Sequence, residues 1–297
     1  MAFKLGGVIP AMLTPFKRGG NAVDYDRAGE LSLHLEKQGV DGLFVAGTTG
    51  EGMLMRLDER KKLLEVVVDA VGNRLNVVAQ TGCLDTPGTI ELTQHAAEAG
   101  AVAAGVVTPA FYGYDEAALY AHFKKVAGAA SGFPIMLYEI PGTTKNLIGP
   151  SLIVKLANSI ENIVGMKDSG GRMQKLNELL ATAPKGFVII NGVDEYTFQA
   201  RMAGAHGSVA STANVVPELF KAINKHVDAD QPEKAWKVQQ KLGQACKCFK
   251  YGAMVSIFKE AMRLRGFDPG YVRGPQRELT KTERRELEKG MKEAGLI

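Results

Sequence analysis

Eight short apolar runs recur along the chain, and their regular spacing is the feature that most constrains the fold. Successive runs start 20 to 35 residues apart, and each is almost continuously apolar, which is typical of parallel strands that are covered on both faces. The segments between the runs place apolar residues at helical spacing and begin with start signals such as Asp58, Asp115 and Thr86 before Pro87. The runs begin near Val8, Leu43, Asn76, Ala104, Pro134, Ile163, Phe187 and Gly207.

This alternation of eight strands with helices predicts an α/β fold, a closed (β/α)8 TIM barrel with right-handed crossovers. An open doubly wound sheet is the alternative, but the first strand-to-helix turn lacks the G-x-G-x-x-G pattern of that fold. About 80 residues follow the eighth strand and show helical patterns. We therefore predict a barrel over residues 1–217 and a C-terminal helical region over residues 218–297 that packs on the barrel or on a partner subunit.

The composition of the 297-residue chain excludes several classes of protein. Hydrophobic residues make up 45% of it, and 36 basic residues against 32 acidic ones give a net charge of +4, which does not suit a disordered chain or a nucleic-acid partner. No apolar stretch reaches the roughly 18 residues of a membrane span. Three cysteines, Cys83, Cys246 and Cys248, form no even disulfide framework, and the N-terminus does not resemble a signal peptide. We therefore expect a cytoplasmic protein.

Two polar residues that end neighbouring strands are candidates for catalysis, because barrel active sites lie at the C-terminal ends of the strands. Lys167 ends an apolar run, and desolvation there lowers the pKa of an ammonium and yields an amine that can form a Schiff base. Tyr138 ends the preceding strand, where a phenol can relay protons to the resulting intermediates. The alternatives are a lysine that extends to solvent or pairs with Asp168, and an ordinary half-buried tyrosine.

The GTTGEG segment at residues 47–52 offers the hydroxyls of Thr48 and Thr49 and backbone N–H groups in a tight turn, which suits a carboxylate. It lacks the Gly-Lys-Ser/Thr of a phosphate loop, and the alternative is a plain strand-to-helix turn. The five histidines include no H-E-x-x-H pair, and no G-x-S-x-G motif occurs. The sequence therefore predicts neither a metal nor a cofactor.

Six motifs, in order and at fitting spacing across nearly the whole chain, resemble those of a known family. They are GTTGE (47–51), TPxxY (108–112), YxIP (138–141), GMKDSG (165–170), NGxDE (191–195) and GAHGSVASTANVVPE (204–218). The chain is similar to the dihydrodipicolinate synthase / N-acetylneuraminate lyase family of pyruvate-type class I aldolases. That resemblance implies a (β/α)8 barrel with a C-terminal helical region, usually in a homotetramer.

The resemblance also implies roles for individual residues. Lys167 would be the Schiff-base lysine and Tyr138 the proton relay, while Thr48 and Thr49 would hold the carboxylate of a 2-oxo acid, helped by the backbone at Gly192. These roles agree with the ones that the residue types suggest on their own.

Two positions depart from the dihydrodipicolinate synthases. Those enzymes have an arginine five residues after the strand-5 tyrosine, which binds the carboxylate of the second substrate, whereas this chain has Thr143, with Lys145 two residues later. They also place a tyrosine where this chain has Phe111, completing a relay across a subunit interface. Phe111 cannot carry a proton, so Tyr112 is the remaining candidate for that catalytic role.

Three further residues match positions that bind hydroxyls in the sugar-acid lyases of the family: Asp194, Glu195 and Ser211. The alternative is that Asp194 and Glu195 only cap the helix that follows. We expect a cofactor-free Schiff-base lyase that acts on pyruvate or on a 2-keto-3-deoxy sugar acid. The alternatives are the dihydrodipicolinate synthase reaction, the condensation of pyruvate with aspartate semialdehyde, and a non-catalytic barrel that binds a 2-oxo acid.

Overall fold

Eight parallel strands form a nearly closed barrel in the computed structural model, which describes residues 3–250 and 254–297. From β2 to β8 each strand pairs with the next one in sequence, and β1 pairs with β8. Between β1 and β2 the contact is an isolated parallel bridge of Ala11 with Phe44, where Met12 N–H donates to the Phe44 carbonyl at 3.0 Å. The strands are β1 (Gly7–Pro10), β2 (Gly42–Val45), β3 (Asn76–Gln80), β4 (Ala103–Val107), β5 (Ile135–Glu139), β6 (Ile163–Asp168), β7 (Val188–Asn191) and β8 (Gly207–Ala210).

Helices follow the strands and then continue as a C-terminal series. In the described residues they are α1 (Tyr25–Lys37), α2 (Leu57–Val71), α3 (Thr86–Glu98), α4 (Glu116–Ala129), α5 (Pro141–Thr144), α6 (Pro150–Ser159), α7 (Met173–Thr182), α8 (Thr197–Ala203), α9 (Pro217–Asp228), α10 (Pro232–Cys248), α11 (Met254–Leu264) and α12 (Lys281–Glu293).

The predicted barrel with C-terminal helices is confirmed, and each strand starts within one residue of its predicted position. The signals at Asp115 and at Thr86 mark the starts of α4 and α3, where Asp115 and Asp85 accept hydrogen bonds from the first turns. Helix α2 begins at Leu57 and not after Asp58, because the Glu59 side chain accepts a hydrogen bond from the Arg56 N–H and starts the helix earlier.

The interior of the barrel and its C-terminal helices belong to different apolar clusters. Ile9, Phe44, Met136, Tyr138 and Val209 fill the barrel. A larger cluster joins the outer faces of the first strands and the buried faces of α1 and α2 to buried side chains of α9, α10, α11 and α12. The C-terminal region therefore packs on the side of the barrel where β1 and β2 meet, and this position brings α10 and α11 close to the strand ends.

No helix in the described part of the chain is long and apolar enough to span a membrane.

Candidate active site

Lys167 and Tyr138 lie side by side at the C-terminal ends of β6 and β5. They are direct partners in the strand register, so both side chains face the same side of the sheet. Lys167 is 5% exposed and Tyr138 1%. The Lys167 Nζ lies 4.0 Å from the centroid of the Tyr138 ring and 4.5 Å from that of the Phe44 ring. The amine is thus shielded from water by two aromatic faces that also attract its charged form.

The GTTGEG turn contacts Tyr138 through Thr48 and Ser211, at the end of β8, through Thr49. The Thr48 Oγ1 lies 3.2 Å from the Tyr138 hydroxyl, and the Thr49 Oγ1 lies 2.6 Å from the Ser211 Oγ. Within the described residues the N–H groups of Thr48 and Thr49 donate no hydrogen bond. The turn therefore offers hydroxyls and free N–H donors beside the phenol, which is what binding of a carboxylate requires.

The turn has a fixed shape because it packs tightly against the end of β1. Thr14 Oγ1 donates to the Gly50 carbonyl at 2.6 Å, and a side chain at Gly50 would meet the Met12 carbonyl at 2.8 Å. At Gly52 an added Cβ would lie 1.9 Å from the Ala46 carbonyl. Two of the glycines in the motif are therefore required by close backbone approach.

A cavity of about 280 Å³ opens beside Thr49 and Ser211. Lys167 and Tyr138 do not line it and are buried; Tyr138 contacts Thr48, the neighbour of the lining residue Thr49. The barrel supplies its polar wall, and α10, α11 and the chain between them supply an apolar one. The lining residues are Thr49, Gly192, Val193, Asp194, Glu195, Ser211, Thr212, Cys246, Phe249, Lys250, Val255 and Phe258.

Asp194 turns its carboxylate toward β8. Its Oδ2 accepts a hydrogen bond from the Thr212 N–H at 2.9 Å, and neither the short 3-10 turn at 194–196 nor α8 has a side-chain cap. Burial raises the pKa of Asp194, although the bonds from Thr212 and the charge of Lys167 oppose this shift. The carboxylate is therefore placed in the cavity wall and does not cap the helix.

Glu195 and Gly192 lie in the same wall. The Glu195 Oε1 pairs with the Lys250 Nζ at 2.6 Å, and both side chains are exposed. The Gly192 N–H already donates to the Asp168 carbonyl at 2.7 Å, so that N–H is not free for a substrate. A Cβ at Gly192 would lie 2.0 Å from the Ser169 Oγ, so close packing against Ser169 accounts for a glycine at this position.

The model of the dihydrodipicolinate synthetase family matches residues 4–294. This chain belongs to the dihydrodipicolinate synthetase family. The prediction of a lyase or aldolase with a lysine Schiff base is thereby confirmed at the level of the family.

Several relatives in this family carry the name 4-hydroxy-tetrahydrodipicolinate synthase. The protein of Bacillus subtilis (strain 168) is 35% identical over 282 residues, which are 95% of this chain and 97% of the relative. The protein of Acidothermus cellulolyticus is 38% identical over 290 residues, which are 98% and 92% of the two chains.

Solved structures of the family share the whole fold. The dihydrodipicolinate synthase of Cyanidioschyzon merolae with lysine bound has a TM-score of 0.93 at 31% identity and covers 98% of this chain and 99% of its own. YagE of E. coli K12, solved in complex with pyruvate, has a TM-score of 0.93 at 30% identity. It covers 98% of this chain and 99% of its own.

The segments that follow β4 and β5 carry four further residues of interest, Phe111, Tyr112, Thr143 and Lys145. Phe111 and Tyr112 are 78% and 65% exposed, and Phe111 has a φ of +80°. Tyr112 is thus not brought into contact with Tyr138 within one chain, and its catalytic role stays a prediction. Thr143 and Lys145 are also exposed.

Sequence reasoning missed an ion pair behind the site. Glu139 and Lys175 are both buried, and their charged groups lie 2.7 Å apart. Glu139 also accepts a hydrogen bond from the Ile148 N–H at 2.5 Å, which ties the loop after β5 to the barrel. The available signal was strand alternation: Glu139 follows Tyr138 by one residue and so faces the opposite side. Its partner on α7 could not be read from the sequence.

Among the described residues, no group of three or more His, Cys, Asp or Glu side chains is placed to hold a metal ion.

Proposed function

We propose that this protein is a class I lyase that forms an imine between Lys167 and the C2 carbonyl of pyruvate or of a 2-keto-3-deoxy sugar acid. One observation carries the proposal: a buried lysine amine lies against a tyrosine whose hydroxyl is held by Thr48. Simple binding of a 2-oxo acid does not need a buried amine beside a positioned phenol, so a purely binding barrel explains this arrangement less well.

The chemistry follows from these two side chains. The neutral Lys167 amine adds to C2, and the carbinolamine loses water to give the imine, with the Tyr138 phenol moving protons between nitrogen and oxygen. The protonated imine then accepts the electron pair of the C3–C4 bond when the C4 hydroxyl gives up its proton. An aldehyde leaves, the enamine is protonated at C3, and hydrolysis releases pyruvate and the free amine.

The carboxylate of the substrate is proposed to bind at the GTTGEG turn. The free N–H groups of Thr48 and Thr49 and the Thr49 hydroxyl are donors on that side of the site. Hydrogen bonds to a charged acceptor are about twice as strong as neutral ones, so a local set of donors suffices without a nearby arginine.

The adjoining cavity is proposed to hold the hydroxylated end of a sugar acid. Asp194, Glu195 and Ser211 present acceptors there, while α10 and α11 present apolar side chains. A cavity with a few placed polar groups and apolar walls is the usual form of a small-molecule site.

The second candidate is 4-hydroxy-tetrahydrodipicolinate synthase, which is the name of the relatives from Bacillus subtilis and Acidothermus cellulolyticus. Its reaction joins pyruvate to aspartate semialdehyde at the same imine. Thr143 and Phe111 count against it, because neither can supply the bidentate guanidinium or the phenol that the resemblance associates with those positions.

We also propose a cytoplasmic homotetramer or dimer, on the basis of the family resemblance, and a division of the chain into a barrel (1–217) and a helical region (218–297). The exposed aromatic pair Phe111 and Tyr112 supports contact with another subunit at the rim.

Borohydride reduction in the presence of pyruvate tests the imine. We expect a covalent adduct with the mass of reduced pyruvate at Lys167, located by peptide mapping, and no adduct in Lys167→Ala. Lys175 is an internal control, because it is buried equally deeply nearby yet paired with Glu139. An adduct only at Lys175, or none, would contradict the proposal.

A rate comparison separates the two candidate reactions. We expect release of pyruvate from 2-keto-3-deoxygluconate to exceed the condensation of pyruvate with aspartate semialdehyde in kcat/KM. Efficient turnover of the semialdehyde alone would favour the synthase instead.

A further inference from the structure

A fully buried ion pair joins the C-terminal helical region to the GTTGEG turn. Lys259 of α11 is 0% exposed, and its Nζ lies 2.9 Å from the Oε1 of Glu51, whose side chain is 1% exposed. The other carboxylate oxygen of Glu51 accepts a hydrogen bond from the Arg273 N–H at 2.9 Å. Glu51 therefore has both oxygens bound by the chain that follows the barrel.

The Lys259 ammonium is saturated with acceptors. Besides Glu51, it donates to the Thr14 carbonyl at 2.7 Å and to the Tyr271 carbonyl at 2.5 Å. These three acceptors match the three N–H donors of a lysine. The side chain thus links the end of β1, the GTTGEG turn and the segment after α11 at one point.

Stability alone does not explain such a pair. Burial raises the pKa of Glu51 and lowers the pKa of Lys259, and each partner offsets this effect on the other. Because desolvation of two charges cancels most of their attraction, apolar side chains of the same volume usually stabilise a core as well or better. What the pair offers in addition is a fixed geometry for the backbone around it.

The backbone next to the Glu51–Lys259 ion pair belongs to the GTTGEG turn, which also carries Thr48 and Thr49. Glu51 has a left-handed φ of +55°, and its N–H donates to the Thr48 carbonyl at 3.1 Å. Thr14, whose carbonyl binds Lys259, donates its hydroxyl to the Gly50 carbonyl. Lys259 therefore holds the turn from two sides, directly through Glu51 and indirectly through Thr14.

We propose that Glu51 and Lys259 are positioning residues for the reaction: they hold the turn at 47–52 so that Thr48 meets Tyr138 and Thr49 meets Ser211. Neither residue touches the substrate. That Thr48 and Thr49 serve the reaction rests on the proposed function. The C-terminal helical region thereby sets the geometry of the site in the barrel.

Kinetics of Lys259→Met and Glu51→Gln test this proposal, with Glu59→Gln as the matched control. Glu59→Gln weakens another tie to the same segment, the 2.6 Å ion pair of the Arg273 guanidinium with Glu59, while the Arg273 N–H that binds Glu51 stays in place. We expect both test variants to raise the KM for pyruvate at least about tenfold. We expect the control to lower Tm comparably while KM stays within about twofold.

The outcomes separate positioning from general stability. If the KM of Glu51→Gln changes as little as that of Glu59→Gln, or if KM follows Tm in all variants, the proposal is wrong. Glu51→Gln preserves the shape of the side chain and decides the question if Lys259→Met does not fold. If the wild-type protein forms no adduct at Lys167, the proposed function is wrong, which is a separate result. The affinity for pyruvate, measured by calorimetry, then still shows whether Glu51→Gln and Lys259→Met disturb the turn more than Glu59→Gln does.

Discussion

At the scale of single residues, the surroundings of Lys167 separate two demands on a Schiff-base lysine. Its amine must be kept apart from bulk water during the reaction, yet the intermediates it forms are cationic. The rings of Tyr138 and Phe44 lie 4.0 and 4.5 Å from its Nζ; they exclude water and also attract a cation. Phe44 was not a candidate in the sequence, because a phenylalanine inside an apolar strand is indistinguishable from core.

Removal of the phenol alone tests the relay. Tyr138→Phe keeps the ring that covers Lys167 but deletes the hydroxyl 3.2 Å from Thr48. We expect kcat to fall about 10²- to 10⁴-fold, the usual contribution of a positioned acid or base, while borohydride still traps pyruvate, more slowly. Thr48→Val, which leaves the phenol in place, should have a smaller effect on kcat. A Tyr138→Phe enzyme with wild-type kcat would exclude the relay.

The residue at position 143 tests the choice of the second substrate. Thr143 of α5 is exposed, and within the described residues its hydroxyl donates only to the Ile140 carbonyl, just before this helix. Thr143→Arg should raise kcat/KM for aspartate semialdehyde about tenfold or more, because a guanidinium binds a carboxylate with two parallel hydrogen bonds. Thr143→Lys, which adds the charge without that geometry, is the control and should gain less. Equal rates for all three proteins would show that this segment does not contact the second substrate.

At the scale of elements, the contact between α3 and α4 contains a buried histidine. His122 is 7% exposed, and its Nδ1 lies 3.0 Å from the Thr86 Oγ1. Burial lowers the pKa of His122 from 6.5 to about 4, so the ring is neutral in the folded protein at physiological pH.

Stability should therefore depend on pH in a predictable direction. The unfolded chain takes up a proton at His122 near pH 6.5 and the folded chain only near pH 4, so unfolding is favoured as the pH falls between these values. The free energy of unfolding should decrease by up to about 3 kcal/mol over this range. Urea denaturation at pH 7 and pH 4.5 measures this decrease in the free energy of unfolding. In His122→Asn the part of the decrease that His122 causes should be absent. An unchanged pH dependence in His122→Asn would assign the effect to other groups.

The start of α4 allows a second test at this scale. The Asp115 Oδ1 accepts a hydrogen bond from the Ala118 N–H at 2.8 Å, as its position before the helix predicts. Asp115→Ala should cost about 1 kcal/mol of unfolding free energy in urea, since it leaves a first-turn donor without its partner. Asp115→Asn keeps the acceptor and should cost much less; similar losses in both variants would contradict the capping role.

At the scale of the whole molecule, the C-terminal helices share one apolar cluster with the barrel. Leu287 of α12 is fully buried in the cluster that also contains Leu13 after β1 and Leu63 of α2. The same helices supply the apolar wall of the cavity and the lysine that holds the GTTGEG turn. The barrel and the helical region therefore depend on each other for both packing and site geometry.

Calorimetry can show whether the two regions unfold together. Leu287→Ala should lower the free energy of unfolding by about 2 to 5 kcal/mol and shift a single transition to lower temperature. Leu33→Ala, at a half-exposed position of α1, should change it by no more than about 0.5 kcal/mol. A separate early transition in Leu287→Ala would instead show that residues 218–297 unfold on their own.

The sequence by itself determined the strand order, the barrel and the strand ends at which chemistry is placed. Apolar runs are local signals, and the geometry of parallel strands joins their C-terminal ends at one face. For this reason the sequence alone suffices to name Lys167, Tyr138, Thr48 and Thr49. In the structure Lys167 and Thr48 contact Tyr138, and Thr49 contacts Ser211.

Only the tertiary structure decided which distant side chains complete that site. Lys259 reaches Glu51 across 208 positions of sequence, Phe44 lies under Lys167, and α10 and α11 close the cavity. No local pattern marks such partners, because a buried lysine on an amphipathic helix looks in sequence like a solvated one. Its role arises from packing, which places a desolvated charge where a carboxylate of another element can bind it.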